Sequence, residues 1–416
     1  MSSSSETLGT RTSARILGTK QLAFILITSL FFMWGLSHGL LDVLNKHFQD
    51  SLNISHTQSA LIQTSYFGAY FFVAFPVGVL IERFSYRAAI LVGLGLFAAG
   101  ALLFLPASWA GSLTPFLVAL FVLASGLACL ETAANLYAAT LGDPARAEQR
   151  LTLAQSFNGL GAFVGPIIGG SVFFLPSFKL AGFNVEPVSL TYVALAAVVV
   201  LMMLVFAACD LPEGQVELAK ASHAAEPPIA LWRTRSFTGA LVAQFFFVGN
   251  YVGIGAFFIN FAIDHWQGMT PRDAAYLLSG GMLAYMVGRF AGIVILRYIA
   301  ARNLLILNSV AAAVLCAVAI LGVPKVSPLC VAAIYLFMST LYPTLFAMGT
   351  RGLGARTKRA GSILVMTLVG GALLPLVMGV LGDRFGTQWA FVVPLLGFAV
   401  IGLYGLSQQP ITVRNA

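Results

Sequence analysis

The sequence predicts an all-α integral membrane protein of twelve transmembrane helices in two six-helix halves, and three observations carry that prediction. Of its 416 residues, 59% are hydrophobic and only 9% charged, whereas soluble globular domains are roughly one quarter charged. The apolar residues fall in twelve stretches, each long enough for the ~20-residue helix that crosses a bilayer core. Lysine and arginine, finally, alternate sides with the loops between those stretches.

Taken in order, the spans are expected at 21–45, 58–81, 88–106, 113–140, 151–175 and 189–209, then 236–263, 272–296, 303–322, 327–350, 360–381 and 387–407. Gly, Pro, Asn or charged residues end each one, as residues that interrupt an apolar helix should. The start, MSSSSETLGTRTSARILGTK (1–20), has no short apolar core and no cleavage site, so it is expected to be a disordered cytoplasmic tail. Residues 21–209 then form the N-terminal six-helix bundle. The longest polar stretch, 210–235, is the cytoplasmic linker; 236–407 is the C-terminal bundle and 408–416 a second cytoplasmic tail.

The net charge of +8 does not mark a nucleic-acid partner, because the basic residues follow loop parity and form no patch. With the N-terminus in the cytoplasm, 17 of the 23 basic residues lie on that side. Lys46, Lys179, Arg272, Lys325 and Arg384 lie outside, and Arg289 sits inside a span. The bias puts both termini of a multi-pass membrane protein in the cytoplasm. Cys129, Cys209, Cys316 and Cys330 stand in apolar segments without C-x-x-C spacing, which suits packing and not metal binding or disulfides.

Each half repeats a feature after its second span. GVLIERFSYRAAIL (78–91) and GIVILRYIAARNLLIL (292–307) share a glycine, an apolar turn, an arginine (Arg83, Arg297), an aromatic and further arginines. Internal duplication of this kind is a mark of secondary transporters.

Polar groups inside spans are costly and therefore few and functional. They are His38 and Asp42 on the first span, Glu131 and Asn135 on the fourth, Gln155 and Asn158 on the fifth, Gln244, Asn250 and Asn260 on the seventh, and Arg289 on the eighth. His38 with Asp42 and Glu131 with Asn135 are i,i+4 pairs, and Gln155 with Asn158 is i,i+3, so each pair projects from one helix face. Three polar faces of the first half are thus expected to meet in one cavity. Helix–helix hydrogen bonding is the competing reading for any single amide. Trp34, Tyr66, Tyr70 and Tyr342 add amphipathic rings that suit a polyhydroxylated ring, which offers hydroxyls to bond and C–H faces to stack on.

SLFFMWGLSHGLLDVLNKHFQ, LIQTSYFGAYFF, GLACLETAANLY, LAQSFNGLGAF, AQFFFVGNYVGIGAFFINF, MVGRFAGIVI, LYPTLFAMGTRGLG and GSILVMTLVGGALLPLVMG resemble, in order and over nearly the whole chain, the fucose:proton symporter family of the major facilitator superfamily. CLETAAN and AQSFN are the most specific pieces. The resemblance implies the major facilitator fold and proton-coupled uptake of a monosaccharide, whether a hexose, a deoxyhexose or an N-acetylhexosamine. It implies that Asp42 takes up and releases the coupling proton, that Glu131 links sugar binding to it, and that Gln155 and Asn158 face the sugar. Tyr342 and Arg289 match positions in its second-half motifs. Leu41 stands where the family commonly has Asn, His38 where an amide occurs, and Asn250 where Gln or Glu is frequent. These departures leave the sugar open.

The expectation is a monomeric symporter with proton coupling at Asp42, Glu131 and His38. Its sugar contacts are expected from Glu131, Asn135, Gln155, Asn158, Gln244, Asn250, Asn260, Tyr342 and Trp34, and its gating or structural cations are Arg289, Arg83 and Arg297. Its partners are a monosaccharide and membrane lipids. No cofactor and no metal are expected, and sodium is left open as the coupling ion. Two alternatives stand beside it. GLGAFVGPIIGG (159–170) resembles the fifth-span motif of proton-coupled exporters of drugs, and HGLLD (38–42) is an H-x-x-x-D string like that of some acyltransferases. The string sits in a span without other catalytic groups, so an enzyme is not expected.

Overall fold

The computed structural model describes residues 3–140, 147–180, 183–209, 229–351, 353 and 357–408. Residues 1 and 2, residues 210–228 of the expected linker and residues 409–416 of the expected C-terminal tail lie outside the described residues.

The chain enters as one helix, α1 (Ser3–Leu52), so the backbone of 3–20 is helical and not the disordered tail expected. No proline precedes Pro76, and once a span is helical each further residue adds a hydrogen bond without a new nucleus. At its other end α1 runs past the expected limit at 45, where Lys46 and Asp50 form an i,i+4 ion pair of 2.7 Å. It stops before Asn53, which takes the left-handed conformation (φ 54°) that asparagine tolerates better than most residues. Ser55 then caps α2 (His56–Arg83): its hydroxyl accepts from the Gln58 amide, and the Gln58 side chain accepts from the Ser55 amide.

The first half continues with α3 (Tyr86–Leu102, extended by Phe104–Trp109), α4 (Leu113–Thr140), α5 (Ala147–Val172) and α6 (Pro187–Ala208). In the loop between α5 and α6, β1 (Phe178–Leu180) pairs antiparallel with β2 (Phe183–Val185), a small addition to the all-α expectation. The second half holds α7 (Arg235–His265), α8 (Pro271–Ile295), α9 (Ala301–Ile320), α10 (Val326–Met338 and Leu341–Thr350), α11 (Thr357–Val365 and Gly370–Phe385, joined by a 3-10 turn) and α12 (Val392–Ser407). The break in α10 falls just before Pro343, which cannot donate a bond to the turn above it. Ten of these helical stretches are long and apolar enough to cross a membrane, and α2 and α5, of 28 and 26 residues, complete the order of twelve.

Small residues set the packing within the first half. A Cβ on Gly39 of α1 would lie 2.7 Å from the Ala162 carbonyl oxygen, and one on Gly165 of α5 would lie 2.7 Å from the Gly39 Cα. Glycines of the 159–170 run thus bring α5 into backbone contact with α1. The four cysteines are free, with Cys129 and Cys316 buried.

The halves meet where α2 faces α11, α5 faces α8 and α1 faces α7. Asp383, near the end of α11, accepts from the His56 amide at 2.8 Å, the Thr57 amide at 2.9 Å and the Thr57 hydroxyl at 2.6 Å, which are charge-assisted bonds at a helix N-terminus. The hydroxyls of Ser171 and Tyr276 lie 2.8 Å apart, Ser279 donates to the Phe163 carbonyl and Thr64 to the Ala372 carbonyl. These bonds lie toward the ends that the charge bias assigns to the outside, so the halves are fastened there.

Candidate functional site

Glu131 and Asn135 of α4 project from one face, and Gln155 and Asn158 of α5 from another, as their spacing requires. The structure brings the two faces together: Gln155 Nε2 donates to Asn135 Oδ1 at 3.4 Å. Asn158 Nδ2 donates to the Phe31 carbonyl on α1, also at 3.4 Å. Both bonds are at the weak end of the range, so either amide can be drawn to another partner at little cost. Glu131 Oε2 is buried without a hydrogen-bond partner among the described residues. Trp34, half-buried, packs edge-on to Phe31 with ring centroids 6.3 Å apart.

Asp42 has a different setting. It is 1% exposed, neither carboxyl oxygen has a hydrogen-bond partner, and its carboxyl group lies against Gly255 of α7. Asp42 thus sits on the line where α1 meets the other half. His38, one turn earlier, stacks on Tyr251 of α7 at 5.5 Å and 6° and meets Phe67 edge-on, with Nε2 unpartnered. Tyr66 lies 6.3 Å from His38 and 5.7 Å from Tyr70.

In the second half, Arg289 donates to the Tyr285 hydroxyl at 3.1 Å and lies 4.8 Å from the centre of that ring, a cation–π contact that holds the guanidinium without a carboxylate. Tyr342 is half-buried beside Phe247, 5.8 Å away. Gln244 and Asn260 are buried. Asn250 takes the packing alternative: its Nδ2 donates to the Pro394 carbonyl at 3.1 Å and its amide rests against Gly397 of α12, joining two helices of one half. Arg83 and Arg297 are exposed at the ends of α2 and α8 and do not join the buried groups.

Some groups were not singled out from the sequence. Tyr251 sits among His38, Tyr285 (5.3 Å) and Tyr335 (5.9 Å), and Gln63 is fully buried with both side-chain polar atoms unpartnered. The spacing of Gln63, Tyr66 and Tyr70, i, i+3 and i+7, was the available signal for Gln63. Tyr251 had none, since one tyrosine in an apolar helix is ordinary.

Two six-helix halves enclosing buried, unpaired carboxylates and amides form the architecture of a secondary transporter. The comparisons with known proteins agree. A family model of the Major Facilitator Superfamily matches residues 23–363. A glucose/galactose transporter of Brucella abortus is 38% identical over 383 residues, covering 91% of this chain and 92% of the relative. An L-fucose-proton symporter of Escherichia coli is 34% identical over 403 residues, covering 92% of each. Among solved structures, FucP in the outward conformation aligns at 33% identity and a TM-score of 0.67, covering 94% of this chain and 100% of FucP. A D-xylose-proton symporter, at 13% identity and a TM-score of 0.72 over 93% of this chain and 98% of that one, shares the fold. The chain belongs to the major facilitator superfamily.

Proposed function

We propose that the protein is a proton-coupled monosaccharide symporter of the bacterial inner membrane, working by alternating access with both termini in the cytoplasm. The observation that carries the reading is a pair of carboxyl groups, the fully buried Asp42 and the half-buried Glu131 whose Oε2 is buried and unpartnered, with no salt-bridge cation among the described residues. A carboxylate without a partner is tolerated out of water chiefly when neutralised, so both are suited to carrying a proton through the cycle. Names of the relatives supply the substrate class: glucose, galactose and L-fucose.

Glu131, Asn135, Gln155, Asn158 and Trp34 form the sugar-facing wall, with Tyr342, Gln244 and Asn260 opposite. The two long amide bonds at 3.4 Å can be exchanged for bonds to sugar hydroxyls. Arg289 is a fixed cation, since guanidinium stays charged at any physiological pH. The fastening through Asp383 and Tyr276 fits a state closed on the outside.

Proteoliposomes, either preloaded with unlabelled D-glucose, D-galactose or L-fucose or left empty, and given the radiolabelled sugar outside, provide the test. The expected outcome is counterflow of at least one sugar, with accumulation driven by an inward proton gradient. Accumulation driven only by a sodium gradient at equal pH would replace the proton as coupling ion. Proton-driven efflux alone would reverse the direction of transport.

A further inference from the structure

Three side chains follow one another along the edge of α1 that faces α7. His38 stacks on Tyr251, Asp42 faces Gly255, and Asn45 Nδ2 donates to the Ala256 carbonyl at 2.5 Å. They form a seam between the halves. A Cβ built on Gly255 would lie 2.6 Å from Asp42 Oδ2 and 2.8 Å from both its Cγ and Oδ1. The carboxyl group therefore occupies the space that any larger residue at 255 would need.

Resting on the reading of Asp42 as a proton site, we propose that Gly255 is the positioning residue that lets the second half close over the Asp42 carboxyl group, so that the seam seals only over its protonated form. Glycine presents a Cα and no side-chain donor, so nothing at 255 can solvate an anion. A charged carboxylate keeps its water and holds α7 away, because removing that water without a compensating bond is costly. Once protonated, Asp42 no longer needs the water, and the Gly255 backbone moves in. The titratable groups facing Asp42 are His38 on its own helix, Tyr66 on α2, Tyr251 on α7 and Tyr335 on α10. None of them hydrogen-bonds either carboxyl oxygen, and no lysine or arginine among the described residues pairs with it.

A glycine that merely allows close packing would make the same contact. The two roles separate when closure is measured directly against pH. Spin labels at Leu175 and Phe385, exposed positions at the outer ends of the first and second halves, report seam closure as a short-distance population in the full-length protein with its four cysteines replaced by alanine. In the parent the closed population should rise as pH falls. Gly255→Ala should lower it about fivefold or more at every pH, since the added methyl group overlaps the carboxyl group. Adding Asp42→Ala to Gly255→Ala removes the obstructing group, so closure should return and be independent of pH. If Gly255→Ala yields no monodisperse protein, recovery of yield in the double variant reports the same complementarity.

The proposal is overturned by parent-like closure in Gly255→Ala, or by a double variant that stays open or is not recovered. Restored closure in the double variant together with pH-independent closure in the parent would overturn the sealing of the seam by protonation. Counterflow with gradient-driven accumulation in Asp42→Asn would overturn the underlying proton role of Asp42. The three failures are thus distinguishable.

Discussion

The two halves bring different chemistry to the space between them. From the first come carboxyl groups and amides: Asp42, Glu131, Asn135, Gln155 and Asn158. From the second come rings, with Tyr251 in contact with both Tyr285 and Tyr335, one fixed cation, Arg289, held by Tyr285, and the buried amides Gln244 and Asn260. On the proposed function, the protonation chemistry lies in one half and the covering surface in the other. Protonation in the first half would then alter how well the second can close, turning a local event into movement of a whole bundle.

The comparison breaks first, and most strongly, at Glu131. Glu131→Gln mimics the protonated side chain permanently, so it is expected to abolish sugar accumulation driven by a pH gradient while sugar:sugar exchange persists. Uptake and counterflow in the same vesicles check this, and full accumulation would leave Glu131 as a sugar ligand or packing residue. Asn135→Ala, by contrast, removes a hydrogen-bond group and no proton site. It should weaken sugar binding about fivefold, the size of one bond of about 1 kcal/mol, at an unchanged sugar:proton ratio; that ratio and the apparent affinity are the two readouts.

A smaller effect is expected from the second half. Arg289→Lys keeps the charge but loses the planar group over Tyr285, and it should slow transport about threefold with its pH optimum in place. A displaced optimum would move Arg289 into the proton chemistry and undo the division between halves. Smallest of all, Tyr251→Phe removes a hydroxyl whose bond is to the Met282 sulfur at 3.7 Å, a weak acceptor. Uptake should change less than about twofold, whereas Tyr251→Ala, which deletes the ring stacked on His38, should cost more in the same assay.

Much of this could be read along the chain. The ends of α4 stand where the apolar run predicts them, and the i,i+4 pair Glu131/Asn135 and the i,i+3 pair Gln155/Asn158 do turn toward each other. Extension of α1 to Leu52 was missed because Lys46 and Asp50 look like loop residues until they pair with each other along the helix. The settings of Asn250 and Asp42 could not be read for a related reason: a polar residue in a span has one sequence signature whether it faces a cavity, a partner helix or the opposite half.

The number of spans, the bias of basic residues and the faces shared by polar pairs were determined by the sequence alone, because each depends on hydropathy or on a 3.6-residue period within a single helix. Only the tertiary structure decided that Asp42 lies under Gly255, that Asn250 joins α7 to α12, and that Asp383 fastens the N-terminus of α2. Those contacts join residues more than 140 positions apart. They are set by how closely glycine-bearing helices approach one another, a distance that no local pattern encodes.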